Sequence, residues 1–288
     1  MMRFTLLLLL WPVAVLGAEL KPVVLDPTYE HDKYVTQPRD LVKEFRAFTV
    51  SFDSADDDDG DEIADVWAIP HWVAYEIKPS DDPPTSGPDR PKWMTIPDLR
   101  ASGIAPDNES YHFSNQWRAD HPNSKFLGYD RGHLCQKLHA FRLGADADWN
   151  THVTLNACPQ RAKLNQGIWL DLEKKTAAWP DTSGKSVYII CGPIIYGQKP
   201  LNWLGQRENG EVMVAIPDAF FKIVVRGGKV LAFNYPQRGI GYKGSGEYNH
   251  VPYLTNVDAI EHFTGLDFLT ELPNEEEVER ETATELWE

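Results

Sequence analysis

Cysteine is scarce in this chain, with three in 288 residues, and the common metal and nucleotide signatures are missing. No Cys-x-x-Cys or His-Glu-x-x-His occurs, which removes the usual zinc arrangements. No Walker loop or Rossmann glycine pattern occurs either, and Gly244-Ser245-Gly246 lacks the spacing of a nucleophile elbow. Beyond the first eighteen residues, no segment approaches the apolar length a membrane-spanning helix needs. No internal repeat is present. An odd cysteine count leaves at least one thiol free or joined to another chain. Cys135 and Cys158 each lie two residues beyond a polar residue singled out below, so a bridge between them stands open beside the reading of all three as small buried hydrophobes.

Positive charge is also in short supply, 28 Lys and Arg against 43 Asp and Glu, for a net −15. That excess would argue against a polyanionic partner if it were spread evenly. It is not. Ser51 to Asp65 holds eight acids and no Lys or Arg, and Glu271 to Glu288 holds eight acids and one Arg, so these two stretches carry the whole net charge. Phe113 to Lys175 has nine cations against six acids. The Asp56-Asp57-Asp58-Asp59-Gly60-Asp61 run resembles a calcium loop, but placing Gly60 at the sixth position puts Ala55 at the first ligand position. A solvated acidic loop is the preferred reading, with Ca²⁺ as the alternative.

The chain divides by composition. Residues 1–18, with one Arg, an apolar run from Phe4 to Val15 and small residues at Gly17 and Ala18, read as a cleaved secretory signal, which predicts a secreted or periplasmic protein. Residues 19–69 form a leader that includes the acidic loop, 70–269 a single catalytic domain, and 270–288 an acidic tail too poor in apolar residues to fold. Pro79 to Pro91 reads as an exposed loop. Lys125 to Leu134 and Val153 to Asn156 read as short strands, with a turn or short helix at Asp146 to Thr151 between them. From Asn165, the spacing of Ile168, Trp169 and Leu172 predicts a helix packed on one face. Ser186 to Ile195 and Val212 to Ile216 read as buried strands, and Phe220 to Val225 with Val230 to Tyr235 as a hairpin turned at Gly227-Gly228. Val257 to Phe263 reads as a helix ended by Gly265. The scattered tryptophans read as core.

One constellation carries chemistry. Tyr129-Asp130-Arg131-Gly132-His133-Leu134 is followed by Thr154-Leu155-Asn156-Ala157-Cys158-Pro159-Gln160 and then by Leu164-Asn165-Gln166-Gly167-Ile168-Trp169-Leu170-Asp171-Leu172-Glu173. A base, a guanidinium and an amide able to hold a hard cation are what phosphodiester hydrolysis asks for. Together the blocks resemble the DNA/RNA non-specific endonucleases, and the similarity runs from about Pro70 to Leu269 through Gly192-Pro193-Ile194 and Thr264-Gly265-Leu266-Asp267-Phe268. The resemblance implies an α+β protein with the ββα-metal (His-Me finger) nuclease fold on a central, mainly antiparallel sheet. It implies a magnesium-dependent endonuclease that hydrolyses DNA and RNA with little sequence preference, Mn²⁺ substituting for Mg²⁺.

The residues then take roles. His133 is the general base, because an imidazole titrates near neutrality. Asn165 matches the family's metal-holding Asn, and an amide oxygen suits Mg²⁺. Asn156 matches a second motif Asn that orients phosphate or supports His133, and Glu173 matches a family Glu that works through water on the metal. Arg131 is placed to grip phosphate bidentately and Asp130 to position its neighbours. The family's upstream phosphate-binding cation falls on either Arg90 or Arg118. Two rivals stand beside this reading: an enzyme of the same fold acting on another phosphodiester, and a secreted calcium-binding module whose site is silent.

Overall fold

The computed structural model describes residues 18–35, 40–54, 66–84, 87, 89–124, 128–197, 199–238, 242, 247–274, 278 and 281–287. The readings of the signal segment, of the acidic run at 55–65 and of Gly244-Ser245-Gly246 lie outside them. In chain order the strands are β1 (Leu41–Glu44), β2 (Thr49–Phe52), β3 (Pro70–Ile77), β4 (Asp130–His133), β5 (Ala157–Gln160), β6 (Val187–Ile194), β7 (Trp203–Leu204), β8 (Val214–Ala215), β9 (Ala219–Arg226), β10 (Lys229–Pro236) and β11 (Leu254–Thr255). The helices are α1 (Pro97–Ala101), α2 (Asn115–Asp120), α3 (Lys137–Phe141), α4 (Ala145–Asn150), α5 (Leu170–Ser183) and α6 (Val257–Thr264).

Seven strands form one sheet in the order β1-β2-β3-β6-β9-β10-β11, and every neighbouring pair is antiparallel. The central strands are rich in β-branched and aromatic residues, whose side chains alternate between the two faces. Tyr75, Ile189, Phe220 and Val224 enter one core cluster, while Ala74, Ile190, Phe221 and Ile223 enter the other. The second cluster is closed by α6, through Val257 and Ile260. The first holds the motif region, through Leu134, Ala157, Leu164, Trp169 and Leu172. The β9–β10 hairpin turns as its glycines suggest, with Gly227 at φ 58° and Gly228 at φ 80°.

Two features differ from the sequence reading. First, β1 and β2 fall in the leader yet join the sheet, β2 pairing with β3 and β1 with β2, so the sheet crosses the boundary expected at residue 70. Second, the end of the acidic tail packs: the Trp287 ring lies 5.3 Å from that of Trp179, and the Arg226 guanidinium stands 4.5 Å over it. An isolated apolar residue in a charged stretch can dock without any periodic pattern announcing it. The cysteines settle an open point: all three are free and buried, matching the reading as small buried hydrophobes, and the bridge between Cys135 and Cys158 is not formed.

Candidate active site

The motif residues are carried by a two-stranded ribbon and the helix after it. β4 pairs antiparallel with β5, setting Arg131 opposite Pro159, Gly132 opposite Cys158 and His133 opposite Ala157. Gly132 is required there by close approach, since a Cβ on it would overlap the buried side chain of Gln160. The second strand starts later than the sequence suggests. Thr154–Asn156 makes a 3-10 turn, and the strand begins at Ala157. The cause is the Asn156 amide, which donates to Cys135 O at 3.1 Å and Thr151 O at 3.0 Å and accepts from Cys135 N at 2.7 Å. Both its N–H donors are spent, so this buried side chain clamps the end of β4 and has none left for phosphate.

The expected helix also opens irregularly. Leu164–Trp169 is a π-helical turn broken at Gly167 (φ −110°, ψ −115°), and regular α-helix continues from Leu170. Such single turns locally re-aim side chains. Here Asn165 and Gln166 both donate to Asp130 Oδ2, at 3.0 and 2.7 Å. Asp130 therefore fixes which end of the Asn165 amide is the nitrogen, leaving its oxygen as the free ligand atom.

These elements wall a cleft of about 960 Å³ lined by Arg90, Asp130, Arg131, His133, Asn165 and Glu173 among others. Of the two upstream cations, Arg90 is in it; Arg118, on the short α2, is not among its lining residues. The loop carrying Arg90 is held by Met94, whose backbone bonds to His152 O and Thr154 N, each at 2.8 Å. That tie brings the Trp93 ring to 4.5 Å from His133 and 5.3 Å from His152.

The His133 Nε2 is covered and has no hydrogen-bond partner. Burial, followed by the repulsion a protonated His152 would add and by the positive charges of Arg90 and Lys137, holds the imidazole well below its usual range, so it is neutral at pH 7. Glu173 behaves oppositely. Burial lifts its carboxyl to about 7, against the pull of Lys222, a Trp169 hydrogen bond and Arg90. Its Oε1 is also buried without a partner. Arg131 donates to Asn108 O at 3.3 Å through Nη1, while its buried Nε has no partner.

Sequence reasoning missed His152 and Trp93, both in the cleft wall, and Lys137, which lines it while ion-paired at 2.9 Å with buried Asp148. The only signal for Trp93 was its place just after Arg90-Pro91-Lys92. A donor set of amide and carboxylate oxygens, one of them orphaned and buried, fits a hard divalent cation. A separate group able to hold a metal, Asp40, Asp53 and His71, shares no residue with the cleft.

A family model described as DNA/RNA non-specific endonuclease matches residues 63–275. Among solved structures, a chain from the crystal structure of the EndoG/EndoGI complex, which addresses the mechanism of EndoG inhibition, superposes with a TM-score of 0.56. It is 19% identical over 82% of this chain and 89% of that chain, a likeness of fold. The fold is thus the ββα-metal nuclease fold on a central antiparallel sheet. No curated protein matches the sequence.

Proposed function

The chain belongs to the DNA/RNA non-specific endonuclease family, and on that premise we propose that it is a secreted or periplasmic, magnesium-dependent endonuclease that hydrolyses DNA and RNA with little sequence preference. The observation that carries the mechanism is the neutral His133, its Nε2 without a partner, in the wall of a cleft shared with two arginines and with Asn165 and Glu173. A neutral imidazole is ready to accept a proton without first losing one.

His133 takes the proton of the attacking water as its oxygen bonds to phosphorus and the phosphorus–O3′ bond breaks, the 3′ oxygen leaving as a hydroxyl after taking a proton from solvent. Arg131 and Arg90 bind the phosphate oxygens, where a planar guanidinium matches two of them at once. Asn165 would hold Mg²⁺ through its amide oxygen, and the Glu173 carboxylate adds negative charge across the same cleft. The bound ion supplies neutralisation of the charge that develops on the phosphoryl group. Asn156 and Asp130 act on position alone, the first by clamping the end of β4 and the second by orienting Asn165. Contact through phosphates leaves base edges unread, which accounts for tolerance of sequence.

The test is cleavage of supercoiled plasmid and of RNA by the mature protein, with Mg²⁺ and with EDTA, beside His133→Ala. Metal-dependent cleavage lost in a folded variant is the expected result. Near-full activity of His133→Ala would remove the base assignment, and hydrolysis of a small aryl phosphodiester alone would reassign the substrate.

A further inference from the structure

The central sheet buries a lysine that the chemistry above does not use. Lys222 lies mid-way along β9 with 0% exposure, between Cys191 of β6 and Phe233 of β10. Its register puts it on the same face as Phe220 and Val224, the face that carries the nuclease motif. Lysine is almost never fully buried unless paired, yet no ion pair is formed and the Nζ has no hydrogen-bond partner. The ammonium instead stands 3.9 Å from the centre of the Trp169 ring.

We infer that Lys222 is a positioning residue of the nuclease site, its ammonium fixing the Trp169 indole, which in turn holds His133 and adjoins Glu173. The indole Nε1 donates to the His133 backbone oxygen at 3.2 Å, and Trp169 stands one helical turn before Glu173 at the start of α5. A cation against the ring face is attracted to it, fixes the ring plane and polarises the N–H towards its acceptor. One buried charge thus supports the base through the indole, in a cleft that Glu173 also lines. The groups around Lys222 leave little other use for it. Cys135 and Cys191 are kept as neutral thiols by burial, Tyr75 near Glu173 is a neutral phenol, and His250 is engaged by Asp171 at 2.8 Å. Glu173 is the carboxylate whose charge it directly opposes.

The inference rests on the nuclease reading, and Lys222→Met separates the two. This substitution keeps volume and removes charge; a merely structural buried lysine would tolerate it with unchanged or raised stability and unchanged catalysis. The full mature chain is compared with Lys222→Met, Glu173→Gln and the double variant. Lys222→Met is expected to keep its Tm and to lose about 10- to 100-fold in kcat with KM for plasmid changed less than about 3-fold. In the Glu173→Gln background the same change should cost less than about 3-fold. In metal-free protein the Trp169 indole N–H resonance, assigned with Trp169→Phe, should shift in Lys222→Met. Wild-type kcat and an unmoved indole signal in Lys222→Met would overturn the inference. If Lys222→Met fails to fold, the double variant should fold, because the uncompensated carboxylate is gone; a double variant that also fails would overturn it equally. A wild-type protein without nuclease activity would instead count against the nuclease reading, and the indole signal would still decide the role of Lys222.

Discussion

The imidazole of His152 stands edge-on to that of His133, with ring centroids 4.6 Å apart and planes at 80°. Two histidines this close cannot both be protonated cheaply, since like charges and burial act together. Burial depresses His152 to about 4 and His133 well below its usual range.

Neither ring should therefore titrate between pH 8 and pH 6 in the metal-free protein. Imidazole NMR signals of both residues are expected to stay constant over that span. A midpoint near 6.5 for His133 would show that the ring is more open to water than its covered Nε2 indicates.

Glu173 sets a pH dependence of stability. Its folded-state value of about 7 lies above the ordinary glutamate value of 4.5, so the folded protein binds the proton more tightly than the unfolded chain. The stabilisation is full below about pH 4.5 and is lost as pH rises through 7. Glu173→Gln should then gain on wild type by roughly 1–3 kcal/mol at pH 8.5 and by far less at pH 5. Urea unfolding at the two pH values, in EDTA, is the check; an equal difference at both would contradict it.

Arg90 and Arg118 should part company in kinetics. With Arg90 in the cleft and Arg118 outside it, Arg90→Ala is expected to lower kcat/KM for plasmid by about 10- to 100-fold, the worth of a charge-assisted phosphate contact. Arg118→Ala should stay within about 3-fold. Equal losses would show that the substrate extends over α2.

Gly132→Ala should destabilise by about 1–3 kcal/mol, because the new methyl meets the buried Gln160 side chain across the ribbon. Gln160→Ala in the same protein should recover part of that loss. Denaturant midpoints for the two variants decide the point, and a Gly132→Ala protein as stable as wild type would mean that the ribbon yields.

The parts of this molecule that local sequence could announce were announced. β6, the β9–β10 hairpin and α6 each show an apolar run or period with a turn residue at its end, and each stands within a residue or two of its expected place. β2 was illegible because its partner β3 lies beyond the acidic run, and strand pairing across such a gap leaves no local trace; β1 joins the sheet only through β2. β5 was misplaced by a few residues because Asn156 prefers to close a turn with its side chain, a competition that period-two reading does not register. The site shows the same division. His133, Asn165, Glu173 and Arg131 were readable as motif letters, whereas His152 and Trp93 reach the cleft only through the backbone tie at Met94.

The three unbridged thiols have a practical side. Burial raises each of them well above the range in which a thiolate forms readily, and thiolate is the species that oxidants attack. The fold holds itself without a covalent staple and offers peroxide or glutathione no ready sulfur. Neither dithiothreitol nor an oxidative refolding step should therefore change its melting temperature.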